Sequence, residues 1–383
     1  MPDSISAFHV DVPDSELNSL RKRLRATRWP EAETVDNWDQ GMPLDYTREL
    51  VEYWASDYDW RRFEQKMNSW PQFTTSLEGM DIHFIHLQSP EANALPLVIS
   101  HGWPGSVVEF HKVLDALANP VAHGGDAADA FHVVAPCLPG YGFSGKPAAP
   151  GTSAERIGHM WGQLMDRLGY DRYVAQGGDW GSLITQSMGQ TQTEHCAGIH
   201  INMPIVAPDP ETLDNLTQAE QQALDDLGHY TDQGSGYSKQ QSTYPQTLGY
   251  ALADSPVGQM AWVVEKFYMW TDCERNGRKH PENVLTRDEL LDNAMFYWLN
   301  NAGASSARLY WESFKNPNLD PIHMPTACSI FPKEIMRCSR RWAEKRFTNL
   351  IYWNELDRGG HFAALEQPEL FIEEVRNGLR PLR

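Results

Sequence analysis

The chain has 383 residues, 41% hydrophobic and 22% charged, a balance ordinary for a folded globular protein with room for one large domain carrying an insertion. Its 32 Lys plus Arg stand against 51 Asp plus Glu, and the net charge of -19 argues against nucleic acid or an anionic membrane as the main partner. Five scattered cysteines without a CxxC pair argue against a disulfide framework or a zinc knuckle and fit a reducing compartment.

In chain order, Met1 to Val10 lacks a basic n-region and an apolar h-region, and no apolar run of about 18 residues occurs anywhere. The expectation is a soluble, cytoplasmic protein. The sequon Asn215-Leu216-Thr217 is then idle. Pro13-Asp14-Ser15-Glu16 followed by Leu17, Leu20 and Leu24 reads as an amphipathic helix ended by Trp29-Pro30. The basic run Arg21 to Arg25 fits its solvated face. A second helical region over 44–68 has Leu50, Val51, Trp54 and Trp60 as apolar positions. These helices precede any strand signal and read as an added cap.

Strand signals start near Phe73. Alternation over Asp81 to Leu87 predicts antiparallel strands with one wet face. Short apolar runs follow at 97–100, 131–135, 172–175, 197–201, 326–330 and 350–353, separated by helical stretches, which is the pattern of a parallel sheet covered on both faces. Between about 208 and 321 strand signals vanish and the chain turns helical and aromatic, so an inserted lid is expected. The predicted class is α/β, an α/β-hydrolase fold with a mostly parallel central sheet. Its parts are an extension over 1–90, a first core part over 91–207, the lid over 208–321 and a second core part over 322–383. Gly140-Tyr-Gly-Phe-Ser-Gly145 matches a dinucleotide fingerprint, yet the prolines at 147 and 150 cannot open the helix it needs.

Gly177-Gly-Asp179-Trp-Gly181 lies between a β-prone run and a helix opening, the form of a nucleophile elbow with a carboxylate as nucleophile. A carboxylate is ionised at neutral pH and attacks without a base, forming an ester that water must then cleave. The alternative is a turn aspartate capping the helix. His101-Gly-Trp-Pro-Gly105 follows a strand where such hydrolases place half of an oxyanion hole, assigned to the backbone N–H groups of Trp103 and Trp180. Among 14 histidines, His361 sits in the loop after the last strand, in the chain order nucleophile, acid, histidine. Glu334 is the expected acid, with Asp357 and Asp320 as runners-up.

Taken together, His101-Gly-Trp-Pro-Gly105, Gly177-Gly-Asp-Trp-Gly-Ser182 and Arg358-Gly-Gly-His-Phe-Ala-Ala364 resemble the microsomal-type epoxide hydrolases over nearly the whole chain, including the N-terminal extension. The resemblance implies conversion of an epoxide to a vicinal diol without cofactor or metal. It also implies two lid tyrosines that donate to the ring oxygen, matching Tyr237 and Tyr310 by context, with Tyr244 and Tyr250 as alternatives to the first. A phenol stays protonated at pH 7 and can give up its proton as an alkoxide develops. The competing reading is a haloalkane dehalogenase with the same Asp, His and acid logic and Trp180 at the halide. Detoxification, hormone catabolism and biosynthesis all occur among the relatives. A small-molecule epoxide is the expected partner, and a homodimer is left open.

Overall fold

A computed structural model describes residues 4–314 and 318–383. Its strands in chain order are β1 (Ile5–Phe8), β2 (Gln72–Leu77), β3 (Met80–Leu87), β4 (Leu95–Ser100), β5 (Phe131–Pro136), β6 (Tyr173–Gly177), β7 (Cys196–Ile201), β8 (Glu274–Arg275), β9 (Arg278–Lys279), β10 (Thr326–Ile330) and β11 (Leu350–Glu355). Nine of them form one sheet in the order β1-β2-β3-β5-β4-β6-β7-β10-β11, and β8 and β9 make a small separate hairpin. The run from β5 to β11 is parallel throughout, whereas β1, β2, β3 and β5 pair antiparallel.

Two expectations about the first 90 residues need correction. The extension does not precede the sheet, because β1 comes before its helices and pairs with β2 as the sheet's edge. Residues Ile82 to Leu87 of β3 are all buried, so the expected wet face is absent. Helices Leu114–Ala118 and Ala154–Arg167 pack on this end of the sheet and cover it. Leu17, Leu20 and Leu24 are buried as expected, but the first helix stops at Arg25, short of Trp29-Pro30. The region 44–68 is two helices, Leu44–Ser56 and Trp60–Asn68, with the Asp59 carboxylate capping the second.

The lid is helical, with helices Gln218–His229, Gly236–Thr243, Pro245–Asp254, Pro256–Trp270, Arg287–Leu299 and Gly303–Ser313. The hairpin β8–β9 within it was not expected; four polar residues in two-residue strands carry no apolar signal. Helix Arg287–Leu299 is tied on two sides. Toward the extension, Tyr58 donates to Asp292 at 2.7 Å and Arg62 grips both oxygens of the same carboxylate at 2.7 Å. Toward the core, the Asn293 amide donates to the Pro104 carbonyl at 2.7 Å and Tyr297 donates to the Gly105 carbonyl at 2.7 Å. The extension thus braces, through one lid helix, the loop that follows β4.

Candidate active site

The parallel strands β4, β6, β10 and β11 end on the same edge, and each is followed by a loop that carries one piece of the site, as open α/β sheets favour. After β6 the chain turns at Gly178 into the helix Asp179–Thr191, and Asp179 itself sits at φ 51. A non-glycine residue in the left-handed region is strained, and such strain is tolerated where surrounding structure fixes it. Here the fixing is steric. A Cβ on Gly177 would collide with the Gly181 carbonyl, and one on Gly181 would collide with the Ser100 carbonyl of β4. The two glycines therefore let the turn close against the neighbouring strand, which pushes the carboxylate out over the strand ends.

The loop after β4 meets that carboxylate directly. The backbone N–H of Trp103 donates to Asp179 Oδ1 at 2.8 Å, and the space a Cβ on Gly102 would need is filled by the Asp179 side chain. The Trp180 amide stands in the first turn of the elbow helix, where N–H groups have no partner within the helix. His101 is a structural residue. It is buried, its Nε2 receives the Leu138 amide at 3.2 Å, and burial pushes its pKa down to about 4.

His361 reaches the opposite oxygen. Its Nε2 lies 3.3 Å from Asp179 Oδ2 and its Nδ1 2.6 Å from Glu334 Oε1, with all three side chains largely buried. The loop that carries it is pinned by its own amide, which donates to the Trp270 carbonyl at 2.9 Å, and by a bridge between Lys333 and Gly360. Burial opposes a charge on the imidazole, but the Glu334 and Asp179 carboxylates outweigh it and hold the pKa well above the usual range. Asp357 is 82% exposed in its side chain and pairs with Arg358, and Asp320 is exposed, so among these three acids Glu334 is the one joined to the imidazole.

Tyr237 and Tyr310 are 5% and 2% exposed, whereas Tyr244 and Tyr250 are each 69% exposed. Trp103 stacks on Tyr237 at 4.8 Å and meets Tyr310 edge-on at 5.8 Å, and Trp180 meets Tyr310 edge-on at 4.7 Å. The tryptophans beside Asp179 are therefore the surfaces on which the lid tyrosines rest. Burial, joined by Tyr230 for Tyr237, by Tyr237 for Tyr310 and by the Asp179 charge for both, holds the two phenols well above their ordinary pKa, so each stays a donor. The site thus brings together a carboxylate on a strained turn, an imidazole paired to an acid behind it and two buried lid phenols packed on Trp103 and Trp180.

Comparison with known proteins bears on the family. Residues 5–110 match the family model described as epoxide hydrolase N terminus, and residues 96–245 match that of the alpha/beta hydrolase fold. The chain is 51% identical to a candidate epoxide hydrolase of Stigmatella aurantiaca, over 99% of this chain and 86% of that one. It is 35% identical to epoxide hydrolase 1 of Sus scrofa over 98% and 88%. The chain belongs to the epoxide hydrolases of the α/β-hydrolase superfamily. Among solved structures, the epoxide hydrolase of Aspergillus niger superposes with a TM-score of 0.89 at 31% identity, covering 99% of this chain and 97% of that one. The activity is therefore epoxide hydrolysis, and the dehalogenase alternative is not favoured. No helix of the described residues is long and apolar enough to cross a membrane.

The epoxide hydrolase site also contains groups that sequence reasoning missed. A cavity of about 20 Å³ lies beside Asp179 and His361, lined also by Glu109, Gln176 and Asn202. Gln176 donates to Asn202 at 2.7 Å and its own carbonyl oxygen has no partner. Glu109 reaches the cavity only because residue 105 is glycine: a Cβ there would overlap the Glu109 carboxylate. Burial pushes the Glu109 carboxyl up to about 8, eased by the His361 charge and reinforced by that of Asp179. The one signal in the sequence was Glu109 itself, an acid flanked by Val107, Val108 and Phe110 in an otherwise apolar run.

Proposed function

We propose that Asp179 attacks a ring carbon of the epoxide while Tyr237 and Tyr310 hydrogen-bond the departing oxygen, and that His361, oriented by Glu334, then activates water against the resulting ester. The observation that carries this reading is the alignment at Asp179. One carboxylate oxygen is held by the Trp103 amide at 2.8 Å and the other faces His361 Nε2 at 3.3 Å. The amide that orients the free carboxylate becomes half of the hole for the ester's carbonyl oxygen. Esterification removes the Asp179 charge, one of the interactions that keep His361 protonated, so the imidazole turns into a proton acceptor when a base is needed. The switch needs no conformational change.

In this scheme the small cavity holds the hydrolytic water. Its volume of about 20 Å³ suits a single water, which needs roughly 10–15 Å³ by the same kind of measure, and Glu109, Gln176 and Asn202 supply hydrogen-bond partners. Protons balance. On esterification His361 releases its proton, which replaces the one the phenol gave to the ring oxygen; the water then gives one proton to the neutral imidazole, which passes it to the departing alkoxide, and the other, shed as the Asp179 carboxylate reforms, returns His361 to its resting charge. Rings of Trp103, Trp180 and Trp270 around the tyrosines suit a lipophilic or aryl epoxide. Five buried thiols outside any disulfide favour a reducing, cytoplasmic setting.

Isotope placement tests the covalent route. In a single turnover with excess enzyme in ¹⁸O water, the label is expected in the Asp179 side chain and not in the diol. Label in the diol from that first turnover means direct attack by water and ends the proposal.

A further inference from the structure

The two acid tyrosines sit in unlike surroundings. The Tyr237 hydroxyl is 2.8 Å from that of Tyr230, which opens a π-helical turn, Tyr230–Gly234, just ahead of the helix that carries Tyr237. Turns of this kind are rare and concentrate at functional sites. The Tyr230 ring packs tightly against its own turn, since a Cβ on Gly234 would stand 3.1 Å from it. Lys266, 4% exposed, places its ammonium over the Tyr237 ring, 4.7 Å from the centroid, and pairs with Glu265 at 2.9 Å. Tyr310 has instead the edges of Trp103 and Trp180 and the ring of Phe314.

We infer that Tyr230 and Lys266 are positioning residues that make Tyr237 the proton donor, leaving Tyr310 to contribute a hydrogen bond alone. This rests on the reading that the two lid tyrosines assist ring opening. As Asp179 bonds to the ring carbon, the C–O bond breaks with its electron pair on oxygen, and that oxygen takes the Tyr237 proton. The charge left on Tyr237 is then met by a hydrogen bond from the Tyr230 hydroxyl. A cation over the ring face stabilises the same charge through the π-system. Tyr310 lacks both supports, so proton loss from it is the harder of the two. The ionisable groups around the Tyr237 phenol are Tyr230 in the π-turn, Tyr310 on helix Gly303–Ser313, Asp179 at the elbow, and Lys266 with Glu265 on helix Pro256–Trp270.

The test is a double-mutant cycle on single-turnover alkylation of a styrene oxide probe. Tyr230→Phe is expected to slow alkylation about tenfold, the size of one hydrogen bond to a developing charge. Lys266→Met is expected to cost about threefold, with Lys266→Arg restoring most of it. Both effects should vanish in a Tyr237→Phe background and persist in a Tyr310→Phe background. Losses of equal size in the Tyr237→Phe and Tyr310→Phe backgrounds would show a merely structural role and overturn the inference while sparing the scheme. If Tyr237→Phe itself leaves alkylation unchanged, the assignment of the lid tyrosines falls first.

Discussion

The sheet side and the lid side of this site are built by different physics. Asp179, His361 and Glu334 stand on loops after parallel strands, and their places are fixed by backbone: colliding glycine positions at the elbow, an amide from Trp103 and a pinned loop at Gly360. Tyr230, Tyr237 and Tyr310 stand on the helical lid, and their places are fixed by side chains, through ring stacking, a hydroxyl pair and an ammonium over a ring. The difference teaches a division of labour. In the proposed scheme the sheet side makes and breaks the ester, where small displacements are costly, and the lid side manages a proton, where neighbouring dipoles and charges matter more than placement.

Variants can break or sharpen that division. The largest effect is expected for Asp179→Ala, which should lower diol formation by about 10⁴-fold or more, since no other group on the sheet side can form the ester. Steady-state diol assays read this directly, and near-normal turnover would mean the two sides do not divide the work as described. Next comes Glu334→Gln, expected to slow ester hydrolysis on the order of 10²-fold and to spare alkylation. Removing that carboxylate takes away a charge that raises the His361 pKa, so the imidazole becomes neutral at lower pH. The rising limb of the hydrolysis rate should accordingly shift to lower pH while its plateau falls, and a shift the other way would contradict the pairing.

Glu109→Gln is expected to cost about tenfold in hydrolysis, as for one well-placed hydrogen bond to a reacting water, and little in alkylation. It also has a stability signature. The folded-state pKa of about 8 lies above the ordinary 4.5, so the stabilisation is full below pH 4.5 and is lost as pH rises through about 8. Urea midpoints at pH 5 and pH 9 should fall less in the variant than in the natural protein; an equal fall would place the Glu109 carboxyl in solvent. The smallest effect is assigned to Tyr58→Phe, which removes the 2.7 Å bond to Asp292 between extension and lid and should cost about 1–3 kcal/mol of stability in a urea melt. Because the braced helix also holds the Pro104 and Gly105 carbonyls, a modest loss in both chemical steps should accompany it.

The same division explains what could be read from sequence. The elbow, the loop after β4 and the acid–histidine pair were legible because backbone constraints leave a residue pattern: glycines at fixed offsets, strand-like runs before each loop and a fixed chain order. The lid left no such pattern. Tyr237 could be told from Tyr244 and Tyr250 only by burial, which depends on how helices pack. Tyr230 and Lys266 gave no signal because what they meet, the Tyr237 hydroxyl and ring, is brought to them by the fold. β1 escaped because Ile5–Phe8 is a four-residue edge strand without a buried alternation, and the segment that separates it from β2 holds three helices and no other strand. Glu109 escaped because its access depends on the missing side chain at Gly105, four residues away.

The most direct test of the central claim is intact-protein mass spectrometry of His361→Gln after incubation with styrene oxide, followed by peptide mapping. The account predicts a stable adduct of one epoxide mass on the peptide that contains Asp179, with Asp179→Ala showing none. A folded His361→Gln protein that turns over the epoxide at the natural rate, or that carries its adduct on another residue, would contradict it.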